Sequence, residues 1–180
     1  QAERIHQHGT RPGAPFWKLS CRGLSAEDFR ARLLGQVSPD AAGKDVRIPG
    51  LLESAAGGTL FIHELEHLSA ESQAELLKML DNGYFLPAGS RRKTPLKARF
   101  VFSADPAIEE SAARGNFHKK LWQRLSGHRV MLPPLRQRPE DLAPLVQFFL
   151  DAIRRATGAF VAGLDRKSLA ALAGHAWPGN

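Results

Sequence analysis

The stretch that most constrains this chain is Thr59-Leu60-Phe61-Ile62, introduced by Gly57-Gly58. It is apolar and β-prone throughout, with no alternation of apolar and polar residues. A strand with one wet face alternates. A strand buried on both faces reads as a continuous apolar run, the habit of parallel sheets covered by helices. Arg99-Phe100-Val101-Phe102-Ser103 reads as a second buried strand and Val130-Met131-Leu132 as a third core strand. Phe16-Trp17-Lys18-Leu19-Ser20 is a shorter strand-like run, entered through the turn-rich residues Gly9–Pro15.

Helical signals separate these runs. Ser25 caps a helix with Asp28 at its third helical position and Phe29, Leu33 and Leu34 at core spacing. Ser69 opens another, with Ser72 at the third helical position, an apolar stripe of Leu76, Leu77 and Leu80, and a stop at Asn82-Gly83. Helices are also expected at Ala2–His6, Ile108–Arg114 and His118–Leu125. Residues Gly35 to Gly50 carry Pro39, Gly43 and Pro49 and few large apolar side chains, so they read as a loop or a loosely packed insertion. Pro133-Pro134 marks a boundary. Beyond it, Glu140–Thr157 reads as a long amphipathic helix, and a shorter one begins at Asp165 and runs through Leu169 and Leu172. Strands alternating with helices, then a helical tail, give an α/β fold: a sheet sandwiched by helices over residues 1–133, and the start of a helical lid over 134–180. The strand order is not readable from these signals.

The chain has 180 residues, 43% of them hydrophobic, enough for one such core and a small appendage but not for two large domains. No apolar run reaches the ~18 residues that a membrane-spanning helix needs, and no signal-peptide pattern is present. Cys21 stands alone, which excludes an internal disulfide framework and fits a reducing cytoplasm. The chain opens inside a helix and stops just after Pro178-Gly179, so both ends look cut from a longer protein. A net charge of +7 suits a polyanionic partner. Clusters occur at Arg91-Arg92-Lys93 and Lys119-Lys120, but no aromatic stripe accompanies them, and a solvated basic surface is the preferred reading.

Four blocks then carry a resemblance. Glu53-Ser54-Ala55-Ala56-Gly57-Gly58-Thr59-Leu60-Phe61-Ile62-His63-Glu64-Leu65 resembles the Walker B region of the NtrC-like AAA+ activators of sigma-54 RNA polymerase, which typically reads E-L-A-x-G-G-T-L-F-L-D-E-I. Leu132 through Leu142 is similar to the family's L-P-P-L-R-E-R-x-E-D-I junction. Gly115-Asn116-Phe117-His118 through Leu125 is similar to its G-x-F-R-x-D-L-Y-Y-R-L segment, and Trp177-Pro178-Gly179-Asn180 to its W-P-G-N turn. Order and spacing hold along essentially the whole chain. The resemblance implies an AAA+ P-loop-type core, a nucleotide pocket at a subunit edge that takes ATP with Mg²⁺, and ring assembly. It implies a cytoplasmic transcription regulator whose partners are other copies of itself, the RNA polymerase holoenzyme, and DNA through a domain outside this chain, with no membrane partner.

At the positions that carry family chemistry, this chain departs from the pattern. A P-loop ATPase cradles phosphates on a Gly-rich loop whose Lys and Ser/Thr serve the phosphates and Mg²⁺. No G-x-x-x-x-G-K-[ST] occurs in the 180 residues, and the family register places it before Gln1. The Asp that ends the Walker B strand and holds the Mg²⁺ shell is matched by His63, a poor partner for a hard cation. Glu64 matches the water-activating Glu. The sensor position, normally Thr-Asn or Thr-His, is Ala104-Asp105. Of the two arginines that reach a neighbour's nucleotide, the first is matched by His118 and the second by Arg124. The resemblance thus gives Glu64 and Arg124 as candidate catalytic residues, and His63, Glu64, Asp105, His118 and Arg124 as the nucleotide-facing set. The family's polymerase-contacting G-A-F-T-G-A is matched by Pro39-Asp40-Ala41-Ala42-Gly43-Lys44, with Ala41 and Ala42 in place of the aromatic and the hydroxyl.

His63-Glu64-Leu65-Glu66-His67 also satisfies H-E-x-x-H, the zinc-protease pattern. That chemistry needs both histidines on one face of a continuous helix. Here the motif follows a β-type run, so no metal site is expected. The preferred reading is the central domain of a transcription regulator with impaired ATP hydrolysis, acting through self-association and protein contact. An active ATPase whose phosphate loop lies upstream, and a repurposed pocket for a different ligand, remain alternatives.

Overall fold

The apolar run at Thr59 is the middle strand of a three-stranded parallel sheet in a computed structural model of the chain, which describes residues 1–9, 13–41, 43–158 and 163–177. Two units divide between His128 and Arg129. The first runs α1 (Ala2–Gln7), β1 (Phe16–Ser20), α2 (Ala26–Leu34), β2 (Gly35–Pro39), β3 (Asp45–Pro49), α3 (Leu51–Ser54) and β4 (Thr59–His63), then α4 (Ala70–Asn82), β5 (Tyr84–Phe85), β6 (Thr94–Pro95), β7 (Arg99–Phe102), α5 (Ile108–Ala113) and α6 (Lys119–Leu125).

The sheet order is β1-β4-β7. Phe16 to Ser20 pair in register with Thr59 to His63, and Thr59 to Ile62 with Arg99 to Phe102. The central strand is the most buried, with Leu60 and Ile62 fully enclosed. The buried strand expected at Arg99–Ser103 is instead a half-exposed one, because β7 has a neighbour on one side only.

Capping residues set the helix starts. The Ser25 hydroxyl accepts from the Asp28 amide, and Ser69 accepts from Ser72, each satisfying an amide that the first turn cannot. Gly83, at φ 70°, ends α4 in the left-handed conformation. Phe29, Leu33, Leu76 and Leu121 bring α2, α4 and α6 into one core with Leu60 and Ile62.

The segment expected to be a loop, Gly35 to Gly50, is a hairpin. Its strands β2 and β3 pair antiparallel from Gly35↔Pro49 to Pro39↔Asp45. The side chains are nearly all exposed, so no core face imposes an alternation on the sequence. A second, shorter hairpin joins β5 to β6.

In the second unit, 3-10 turns at Leu135–Gln137 and Pro139–Asp141 lead into α7 (Leu142–Thr157), and α8 (Arg166–Ala173) is capped by Asp165 through the Ser168 amide. Val130-Met131-Leu132, expected to be a core strand, is not one. No regular structure covers it, and the three side chains are 77%, 65% and 49% exposed. An apolar run becomes a strand only when another strand takes up its backbone groups, and none does so here among the described residues. Trp177 donates its indole N–H to the Leu172 carbonyl at 2.9 Å, while Pro178, Gly179 and Asn180 lie outside the described residues. So do Thr10, Arg11 and Pro12 of the expected entry turn. Among the described residues, no helix is long and apolar enough to cross a membrane.

Candidate functional site

The site is built where β4 stops. His63 is its last residue, and Glu64 turns the chain in the left-handed region, at φ 62° and ψ 48°. A non-glycine residue in that region costs about 1 kcal/mol, so its surroundings must hold it there. They do so by locking both flanks: the Ser103 amide donates to the Ile62 carbonyl at 3.1 Å, and the Leu65 amide to the Ser103 carbonyl at 3.2 Å. Leu65 is buried and starts a 3-10 turn that runs to His67. The turn points the Glu64 carboxylate off the C-terminal edge of the sheet, the edge on which open α/β sheets receive ligands.

The parallel register then supplies its neighbours. Ser20 pairs with His63, so the β1 hydroxyl lies beside the carboxylate and donates to Oε2 at 2.5 Å. Arg22 Nε stands 2.8 Å from Oε1, and His63 Nδ1 stands 3.4 Å from Oε2. The hydrogen bond from Ser20 holds this carboxyl below its ordinary range, with the charges of Arg22, His63 and His67 adding to it against a smaller desolvation penalty. The folded state therefore favours the ionised form. That stabilisation is present above the ordinary glutamate range and is lost as pH falls through the lowered folded value. Ser20→Ala is expected to raise the Glu64 pKa toward its ordinary value, read by side-chain carboxyl NMR titration; an unchanged midpoint would mean that Ser20 does not set it.

Cys21 follows Ser20 and donates its amide to the His63 carbonyl at 3.0 Å. Burial pushes its thiol up to about 12, helped by Glu66 and Glu64. It is packing, not a nucleophile.

The remaining nucleotide-facing candidates are distributed unevenly. Asp105 joins the cluster indirectly: its amide donates to Glu66 Oε2 at 3.1 Å, and its own carboxylate accepts from the Ala107 amide at 2.8 Å. His118 caps α6, and Arg124, on that helix, is turned to α4. His118 is the N-cap of α6, with Nδ1 accepting from the Leu121 amide at 3.4 Å and its amide donating to Gln73 Oε1 at 2.7 Å. Arg124 donates to the Leu80 carbonyl at 2.6 Å and pairs with Asp81 at 3.3 Å, beside a Lys120–Asp81 pair at 3.1 Å. Cations at a helix C-terminus are favourable there, and these two secure α6 to the end of α4.

Sequence reasoning missed three residues. Ser20 and Arg22 are visible only once β1 and β4 are in register. Gln73, 4% exposed, bridges the Leu68 carbonyl to the His118 amide and carries no local signal. His63 and His67 lie on a strand end and a 3-10 turn rather than on one helix. Among the described residues, no group of three His, Cys, Asp or Glu side chains could hold a metal.

Of the positions matched to the family's polymerase-contacting motif, Pro39, Asp40, Ala41, Gly43 and Lys44 lie at the tip of the β2–β3 hairpin. Asp40 closes it: its amide donates to the Lys44 carbonyl, its carbonyl accepts from Gly43, and its carboxylate accepts from the Lys44 amide, each at 2.9 Å. Pro39 and Ala41 are exposed, and Ala42 lies outside the described residues. No aromatic side chain stands at the described tip.

Comparison with known proteins accounts for this arrangement. Residues 1–131 match the sigma-54 interaction domain and residues 136–180 the AAA+ ATPase lid domain. The chain is 34% identical over 179 residues to the nitrogen assimilation regulatory protein NtrX of Azorhizobium caulinodans, covering 99% of this chain and 39% of that protein. It is 32% identical to the DNA-binding transcriptional regulator NtrC of Escherichia coli K12, with 99% and 38% covered. The crystal structure of NtrX from Brucella abortus in complex with ATP superposes with a TM-score of 0.86 at 30% identity, over 99% of this chain and 40% of that one. The chain thus spans about two fifths of the length of these relatives. With the sheet, the hairpin and the Walker B turn all in family order, this chain belongs to the sigma-54 interaction domain family of AAA+ proteins, the family of the NtrC- and NtrX-type regulators.

Proposed function

We propose that this chain is the central domain of an NtrC-like transcription regulator that works by self-association and protein contact, with impaired ATP hydrolysis and without the usual sigma-54 contact. The division of labour follows residues 1–133 as core and 134–180 as partial lid. The state of Glu64 carries this reading. A general base works best with a pKa near the working pH, whereas this carboxyl is held low and both its oxygens are engaged, by Ser20 and Arg22. Beside it, His63 offers an imidazole where Mg²⁺ wants a carboxylate oxygen. The donor set does not fit a nucleotide-bound Mg²⁺. His118 and Arg124 support the same reading, since the His118 ring is spent on capping α6 and Arg124 on fastening α6 to α4.

The test is phosphate release by the intact regulator at saturating ATP. The expected rate is that of the buffer blank, with no full recovery in His63→Asp while Ala104 and His118 remain. Turnover equal to that of active family members would overturn the proposal and revive an ATPase whose phosphate loop precedes Gln1. The contact surface has its own test. Interfaces depend on a few desolvated aromatic and arginine anchors, and the hairpin tip presents Pro39, Asp40, Ala41 and Lys44. Capture of sigma-54 in the presence of an ATP transition-state mimic is expected to fail. Nucleotide-dependent capture would place the contact on this tip after all.

A further inference from the structure

The two hairpins of the first unit are fastened side by side. Arg47 Nε on β3 donates to the Ala88 carbonyl at 3.0 Å, and the Ala88 amide donates to the Leu34 carbonyl at 3.0 Å. A Cβ on Gly89 would stand 2.6 Å from Val37 Cγ2, so the β5–β6 loop lies flush against β2. The loop has internal order as well. The Ser90 amide donates to the Pro87 carbonyl at 3.0 Å, the Arg92 amide to Ser90 Oγ at 3.1 Å, and Lys93 Nζ lies 4.6 Å from the centre of the Tyr84 ring. What this scaffold displays is Arg91-Arg92-Lys93, three consecutive exposed cations.

Most cations of this unit near an acid are neutralised: Lys18 by Glu3, Arg22 by Glu64, Arg30 by Glu75, Arg47 by Glu53, Arg114 by Glu110. Arg91, Arg92 and Lys93 form no ion pair among the described residues. From Gly83 to Ala104 the sequence holds five basic residues, Arg91, Arg92, Lys93, Lys97 and Arg99, and no Asp or Glu. Part of the net +7 is thus gathered on one exposed loop. The neighbouring tip carries two acids, Asp40, whose carboxylate accepts from the Lys44 amide, and Asp45, and neither is paired with Arg91, Arg92 or Lys93 among the described residues.

We infer that the β5–β6 loop, through Arg91, Arg92 and Lys93, binds the phosphate backbone of duplex nucleic acid, a contact made by this domain itself. Arginine forks match phosphate oxygens in pairs, and a duplex presents a charge about every 1.7 Å, which three adjacent cations can meet together. A protein partner would need a desolvated apolar anchor. On the β5–β6 loop Ser90 and Thr94 flank the cations and Leu86 is the one exposed large apolar residue, while the exposed Val37, Val46 and Ile48 belong to the neighbouring β2–β3 hairpin. Contacts of this kind position a duplex without reading its sequence.

The experiment is fluorescence anisotropy of a labelled mixed-sequence duplex titrated with the 180-residue chain over a range of salt. Three phosphate contacts predict a log–log salt slope of about −3 and a loss of about forty-fold in affinity between about 50 and 200 mM salt. R91A/R92A/K93A is expected to lose at least tenfold at low salt and to flatten the slope by about 3. A control of equal charge change, R4Q/R32Q/K78Q, removes exposed cations elsewhere and is expected to leave the slope alone. R91K/R92K keeps the charge but not the forks, so it should keep the slope and weaken binding a few-fold. Equal losses in the loop and control triples would overturn the inference. So would polyglutamate competing as well as duplex at equal charge, which would point to an acidic protein instead. Unchanged thermal melting of the loop triple separates a lost contact from a lost fold.

Discussion

Gly58→Ala should destabilise the first unit by about 3 kcal/mol, whereas Gly57→Ala, one residue earlier, should cost only about 1 kcal/mol. The two glycines are required for different reasons. Gly57 sits at φ 80° with nothing near its absent Cβ, so alanine there meets only backbone strain. Asparagine, which tolerates that region, should recover much of the loss. Gly58 has an ordinary φ but no room. A Cβ would stand 2.0 Å from the Pro15 carbonyl oxygen, the same oxygen that accepts the Thr59 amide as β1 and β4 come together. On its other side the Gly58 carbonyl accepts from Arg99 at 2.8 Å, at the start of β7. Relief of the clash must therefore disturb the register of the sheet at its origin. Urea unfolding checks the ordering. If Gly58→Ala shifts the midpoint no further than Gly57→Ala, the close approach of Pro15 is not a constraint.

Phe29→Ala should be the most damaging core truncation, at about 3–5 kcal/mol. The ring is fully enclosed and is the largest such side chain, on the helix whose Leu33 and Leu34 are also buried. Total stabilities run to about 5–15 kcal/mol, so this one change removes a large share and should leave the variant prone to proteolysis at growth temperature. Ser25→Ala, which removes only the cap of the same helix, should cost about 1 kcal/mol. A Phe29→Ala loss close to that of the cap variant, measured by chemical unfolding, would mean that the site collapses and refills.

The contrast between Ser25 and Phe29 also explains what could be read in advance. Ser25, Ser69 and Asp165 announce helices because a cap bonds an amide three residues away, and that information is local. Thr59–Ile62 announces a doubly covered strand because burial on two faces erases alternation. The β2–β3 hairpin was not legible, since Gln36, Val37, Val46 and Ile48 all face solvent and leave no pattern. Val130–Leu132 had the right composition for a strand, but strand identity belongs to a pair. The site divides in the same way. His63 and Glu64 are contiguous and stood out, whereas Ser20 reaches Glu64 across 44 positions and Gln73 reaches His118 across 45. Only the folded register connects them.

The order of the sheet also sets the order of folding. Phe16 pairs with Thr59 and Thr59 with Arg99, so each ladder closes over about 40 intervening residues. The two hairpins close over a handful. During synthesis, β1 must wait unpaired until Thr59–His63 have emerged, and β4 must wait again for Arg99–Phe102. Contacts between positions so far apart in sequence slow folding, whereas a hairpin zips in about 1–10 μs. Pulse-labelled amide exchange should therefore find β2–β3 protected well before β1 and β7. On this ordering the hairpins are expected to close first and the sheet that carries Glu64 last.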